Sequence, residues 1–139
     1  MRRSLVITVA VFLAACAVAA RADDGVDQIA GDWQQIESNA GACPKCRLSI
    51  DKRGPSLTVS ANNGWLANLV AGATSGSTTA TATGAGHWRS GVTGAVAGRS
   101  FNVEFVLKRQ RLYMSMLVDM GNGSLRTIRG VYGRVWTGV

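Results

Sequence analysis

The 139-residue sequence predicts an all-β domain, a single antiparallel up-and-down barrel of about eight strands, with an open two-sheet β-sandwich as the alternative. Three observations carry this. Apolar residues alternate with polar ones along most of the chain, and no long stretch places them at i, i+3, i+4 and i+7. Turn-forming dipeptides such as Asn63-Gly64 separate the apolar runs. Many short strands joined by tight turns suit a meander that closes on itself and so removes its exposed edges.

The first segment, residues 1–22, reads as an export signal. Arg2 and Arg3 precede an uncharged run from Leu5 to Ala20, and Ala20-Arg21-Ala22 stands before Asp23 and Asp24. That run is shorter than the roughly 20 apolar residues of a membrane helix, so cleavage after Ala22 is expected. Leu13-Ala14-Ala15-Cys16 offers a second reading, since it resembles a lipobox whose Cys16 would be lipidated and would anchor the protein to a membrane. The apolar run continues past Cys16 through Ala17-Val18-Ala19-Ala20, which favours the plain signal. The expected location is therefore the periplasm or the exterior, and residues 23–139 form one domain, long enough to bury a core. Of 15 Lys and Arg, three lie in the signal, leaving 12 against 8 Asp and Glu. The residual positive balance fits colloidal solubility or contact with an anionic envelope surface.

Strands are expected near 31–38, 46–52, 56–62, 65–73, 78–88, 100–108, 111–120 and 125–136. In the sixth, Phe101, Val103, Phe105 and Leu107 share one face, with Asn102, Glu104 and Lys108 on the other. The seventh repeats the rule with Leu112, Met114, Met116, Val118 and Met120, and a tight turn through Arg109-Gln110-Arg111 makes the two a hairpin. Gly54-Pro55, Asn63-Gly64 and Gly121-Asn122-Gly123 mark three more corners. Residues 71–98 are almost all Ala, Gly, Ser and Thr. The Thr/Ala alternation over Thr78–Thr83 points to a strand, whereas Gly91–Gly98 reads as a loop.

Gly31-Asp32-Trp33 at the start of the first strand resembles the opening of the calycin group, which comprises lipocalins, avidins and some bacterial protease inhibitors. The resemblance implies that Trp33 closes the barrel base beneath an arginine of the last strand, either Arg129 or Arg134. Such a cation over an indole is worth about 0.5–2 kcal/mol. It implies no ligand: the chain lacks an avidin-like set of biotin-binding aromatics, and it is shorter than lipocalins with its cysteines paired locally.

Cys43-Pro44-Lys45-Cys46 is the densest chemical motif. In an oxidising compartment it reads as a structural disulfide in the loop between the first two strands. A redox role would need a thiolate at a helix N-terminus, yet Leu48 and Ile50 alternate as a strand. Zinc would require four ligands where the domain offers Cys43, Cys46, the single His87 and at most Asp51, so no metal or cofactor is expected. His87 has no nucleophile motif around it, and Glu37, Asp51, Glu104 and Asp119 are scattered singly. The chain reads as a non-enzyme. Lys108, Arg109, Arg111, Arg126, Arg129 and Arg134 read as solvated strand cations, and no aromatics are spaced for stacking on bases, so nucleic acid is not an expected partner.

The interior pairs a bulky wall (residues 101–120) with a thin one at Ala67, Ala71, Ala73, Ala80 and Ala82. If the thin wall leaves a pocket, Met114 and Met116 line it and Trp65 or Trp88 stands at its mouth, giving a carrier of a small apolar or amphipathic envelope ligand. If large packs against small, the core is filled. The domain is then a protein-binding module such as a protease inhibitor, making contact through its N-terminal segment or the 89–99 loop. A thiol-disulfide redox protein at Cys43 and Cys46 is a third reading.

Overall fold

The structure, a computed structural model, describes residues 27–72 and 79–136. Residues 1–22, read above as an export signal, with Cys16, the expected start at Asp23, Ala73 and Thr78, lie outside the described residues. After a short helical turn over 27–29, eight strands follow: β1 (Gly31–Ser38), β2 (Arg47–Arg53), β3 (Ser56–Ala61), β4 (Trp65–Ala71), β5 (Ala80–Trp88), β6 (Ser100–Lys108), β7 (Arg111–Asp119) and β8 (Leu125–Arg134). Every neighbour in sequence is an antiparallel neighbour in space, and β1 also pairs with β8, so the sheet closes into a barrel. Closure excludes the open sandwich.

The period-two pattern sorts side chains as expected. In β7, Leu112, Met114, Met116 and Val118 point into the barrel, while Arg111, Tyr113, Ser115, Leu117 and Asp119 point out. Strand limits differ by a residue or two where turns intervene. Cys46 stays outside β2 because its N–H bonds the Cys43 carbonyl at 3.1 Å, closing a turn. Met120 leaves β7 because its N–H bonds the Ser124 carbonyl across the Gly121–Gly123 corner. The β6–β7 corner is a two-residue turn in which Arg109 and Gln110 both have positive φ, 50° and 63°, between the paired Lys108 and Arg111. That is the type I′ pattern, which asparagine and glycine normally supply.

Strand polarity divides the barrel into two ends. The 27–29 turn, the 54–55 and 109–110 corners and the end of β8 lie at the first. At the second lie the loop holding Cys43 and Cys46, the 62–64 and 120–124 corners and the 89–99 loop.

Candidate functional site

The first end is closed by Trp33. Its indole N–H donates to the Ile29 carbonyl at 2.9 Å, and the Arg134 guanidinium lies 4.2 Å from its ring centroid. Arg134 also donates to the carbonyls of Ala30 (2.9 Å) and Gln28 (2.5 Å), which ties the last strand to the segment before the first. Burial lowers the pKa of Arg134. Of the two arginines expected as partner of Trp33, Arg134 takes the role. Arg129 is on the opposite face of β8, exposed, five residues and therefore an odd number of side-chain alternations away.

The second end is closed by aromatics. Trp65 and Trp88 are paired across β4 and β5, with ring centroids 6.4 Å apart, and Phe101 meets Trp65 edge-on at 5.6 Å. The 89–99 loop folds over them: Arg89 N–H bonds the Gly64 carbonyl, Trp88 N–H bonds the Arg99 carbonyl, and Val92 and Val96 pack on the core. Gly64, with φ 109°, has Val92 against the place a side chain would occupy. Among the described residues one buried side-chain polar atom has no partner, the Trp88 indole nitrogen.

Between the ends, Met114 and Met116 lie inside as expected. Phe105, Leu112, Met116 and Val118 are each 0% exposed, as are Ala80 and Ala82 of the thin wall, so no water-sized space adjoins them. Large against small is how the space is filled. The Phe101 ring lies over Gly86, its Cζ 2.7 Å from where a Cβ would stand, and Tyr132 lies over Gly130 in the same way at 2.9 Å. The Tyr132 hydroxyl reaches the Met114 sulfur at 3.9 Å, and burial pushes its pKa up to about 12.

The cysteines form the disulfide, with Cα atoms 5.3 Å apart. β2 follows Cys46 directly, so no helix N-terminus stands there to lower a thiol pKa. His87 is exposed on the outside of β5, opposite Ser100. Among the described residues, no three of His, Cys, Asp and Glu are gathered as metal ligands.

The outer wall holds what sequence reasoning passed over. A groove of about 490 Å³ crosses β6, β7, β8 and β1, lined on the outside by Glu37, Glu104, Val106, Tyr113, Ser115, Arg129 and Val131, and it reaches the inward-facing Met114, 5% exposed, beside Gly130. Register explains it. Val106, Tyr113 and Val131 stand side by side on adjacent strands, and Glu104, Ser115 and Arg129 form the next row. A bulge between Gln35 and Glu37 turns Ile36 out over Gly133, one row beyond Val131, and sets Glu37 opposite Val131. Tyr113 and Ile36 are 44% and 48% exposed. Among the described residues Glu104 and Arg129 form no ion pair, since the salt bridge present joins Lys52 to Asp27. The signal was available: Val106 and Tyr113 are apolar residues on the wet phase of two otherwise regular strands. A wider cleft of about 900 Å³ at the first end is lined by Gln28, Leu107, Arg109, Arg111, Arg134 and Trp136.

The fold defines the class, a closed eight-stranded antiparallel up-and-down β-barrel. Compared with protein-family models, with curated proteins and with solved structures, the chain has no significant match.

Proposed function

We propose that the chain is an exported, non-enzymatic barrel that works by binding another protein on its outer wall, the barrel serving as a rigid scaffold. The observation that carries this reading is the contrast between a core without water-sized space around Phe105, Leu112, Met116 and Val118 and an apolar groove on the outside at Val106, Tyr113 and Val131. Exposed apolar surface bordered by charge is the usual mark of a protein contact. The calycin likeness belongs to the same proposal and is supported by the Trp33–Arg134 contact. Export is supported by the Arg2–Ala22 pattern and by the Cys43–Cys46 disulfide.

One observation favours a second reading, a small amphipathic ligand held at the second end. The buried Trp88 N–H has no acceptor, and a ligand oxygen beneath the 89–99 loop would provide one. Titration with 11-(dansylamino)undecanoic acid, an apolar fluorophore whose carboxylate can accept from that N–H, separates the two. The scaffold reading predicts no saturable fluorescence gain. Saturable uptake that disappears in Trp88→Phe would replace it with the ligand reading.

A further inference from the structure

We propose that the partner of the outer groove is a second copy of this chain, and that the two barrels pack β7 against β7 about a two-fold axis running along that strand. The inference rests on the protein-binding reading above and gives that surface its occupant.

Charge is arranged about β7 as such an axis requires. Glu104 on β6 and Arg129 on β8 flank Ser115 in one row, one strand to either side. A rotation of 180° about β7 exchanges the β6 side for the β8 side, so Glu104 of each copy meets Arg129 of the other. Two equivalent ion pairs form from charges that, among the described residues, lack an ionic partner within one chain. The same rotation sets Val106 against Val131 of the second copy, and Tyr113 against its own counterpart. In the following row Asn102 meets Thr127, and Leu117, 40% exposed, meets Leu117. Across β7 and its two neighbours apolar thus meets apolar and Glu104 meets Arg129, which is the self-complementarity a two-fold interface requires, while Glu37 stands one strand further out, at the rim. The groove on the β8 side receives the second copy's Glu104 and Val106. A barrel wall is convex, so the surfaces diverge towards the ends of β7 and leave Arg111 and Asp119 in solvent.

Size sets the expected strength. Three strands by six residues give a footprint of roughly 15 by 20 Å. At roughly 300 Å² per partner this is well below the standard interface of about 800 Å², so the dimer should be weak and readily reversible.

The test is sedimentation velocity on the mature protein between about 1 and about 100 µM, with charge reversals at the two exposed positions. Wild type is expected to pass from monomer to dimer over this range. Glu104→Arg faces Arg129 with a like charge and should be monomeric, and Arg129→Glu should be monomeric for the converse reason. Mixing those two variants should restore a dimer. The introduced arginine of one then meets the introduced glutamate of the other, and the native Arg129 of the first meets the native Glu104 of the second. The double variant should dimerise with itself. Circular dichroism checks that each variant keeps the wild-type fold. A wild type that stays monomeric, or a dimer indifferent to both reversals, overturns the proposal. Neither result touches the scaffold reading, which fails instead on saturable dye uptake.

Discussion

Arg134, the last residue of β8, covers the indole of Trp33 near the start of β1 and bonds the carbonyls of Ala30 and Gln28. One side chain therefore joins the two ends of the described chain across the strand pair that closes the barrel. Arg134→Ala removes a cation–π contact and two charge-assisted hydrogen bonds, so it should cost about 3 kcal/mol. Arg129→Ala, on the outside of the same strand, should cost less than about 0.5 kcal/mol. Urea midpoints at unchanged m-value check both.

Tyr132 makes stability depend on alkaline pH. Its folded pKa is raised to about 12 from 10.0 by burial. The unfolded chain thus loses the phenolic proton first, and the stabilisation, full below pH 10, is lost as pH rises towards 12. Tyr132→Phe should remove this part of the decline. Thermal melts of both proteins at intervals from about pH 8 to above about pH 11 would reveal the difference.

Gly86 is where the thin wall yields to the bulky one. A methyl group there would meet Phe101 Cζ at 2.7 Å and the Leu66 carbonyl oxygen closer still. Gly86→Ala should destabilise by about 1–3 kcal/mol. Adding Phe101→Leu should recover only part of that loss, because the backbone carbonyl stays. A double-mutant cycle in urea measures the share.

The β6–β7 corner holds two non-glycine residues at positive φ. Arg109→Asn with Gln110→Gly gives the turn its preferred residues and should stabilise by about 1–2 kcal/mol, leaving the Lys108–Arg111 register intact. Calorimetry on the pair of substitutions checks the sign.

Much of this barrel is legible in the sequence because each strand buries one face, and burial imposes the two-residue period. Phe101 to Leu107 and Leu112 to Val118 identify their strands, their inward faces and the turn between them. Arg134 was legible only as one of two choices. Which arginine reaches Trp33 depends on the β1–β8 register, and that pairing joins residues about a hundred positions apart. The filling of the thin wall was not legible, since Ala and Gly are consistent with either a pocket or a neighbour's ring. The closed packing around Ala80 and Ala82, both 0% exposed, and the Phe101 ring over Gly86 of the same strand decide it. The outer groove was missed because Glu104 and Arg129 are 25 residues apart, and they come to flank Ser115 only through two successive registers.

Native mass spectrometry of the protein purified from a bacterial periplasm reads directly whether the barrel is filled and left to act through its outer wall. The expected result is the bare mass of a chain beginning at Asp23 with the Cys43–Cys46 disulfide intact, as monomer and dimer. Added mass that vanishes on denaturation would reveal a retained ligand and contradict it.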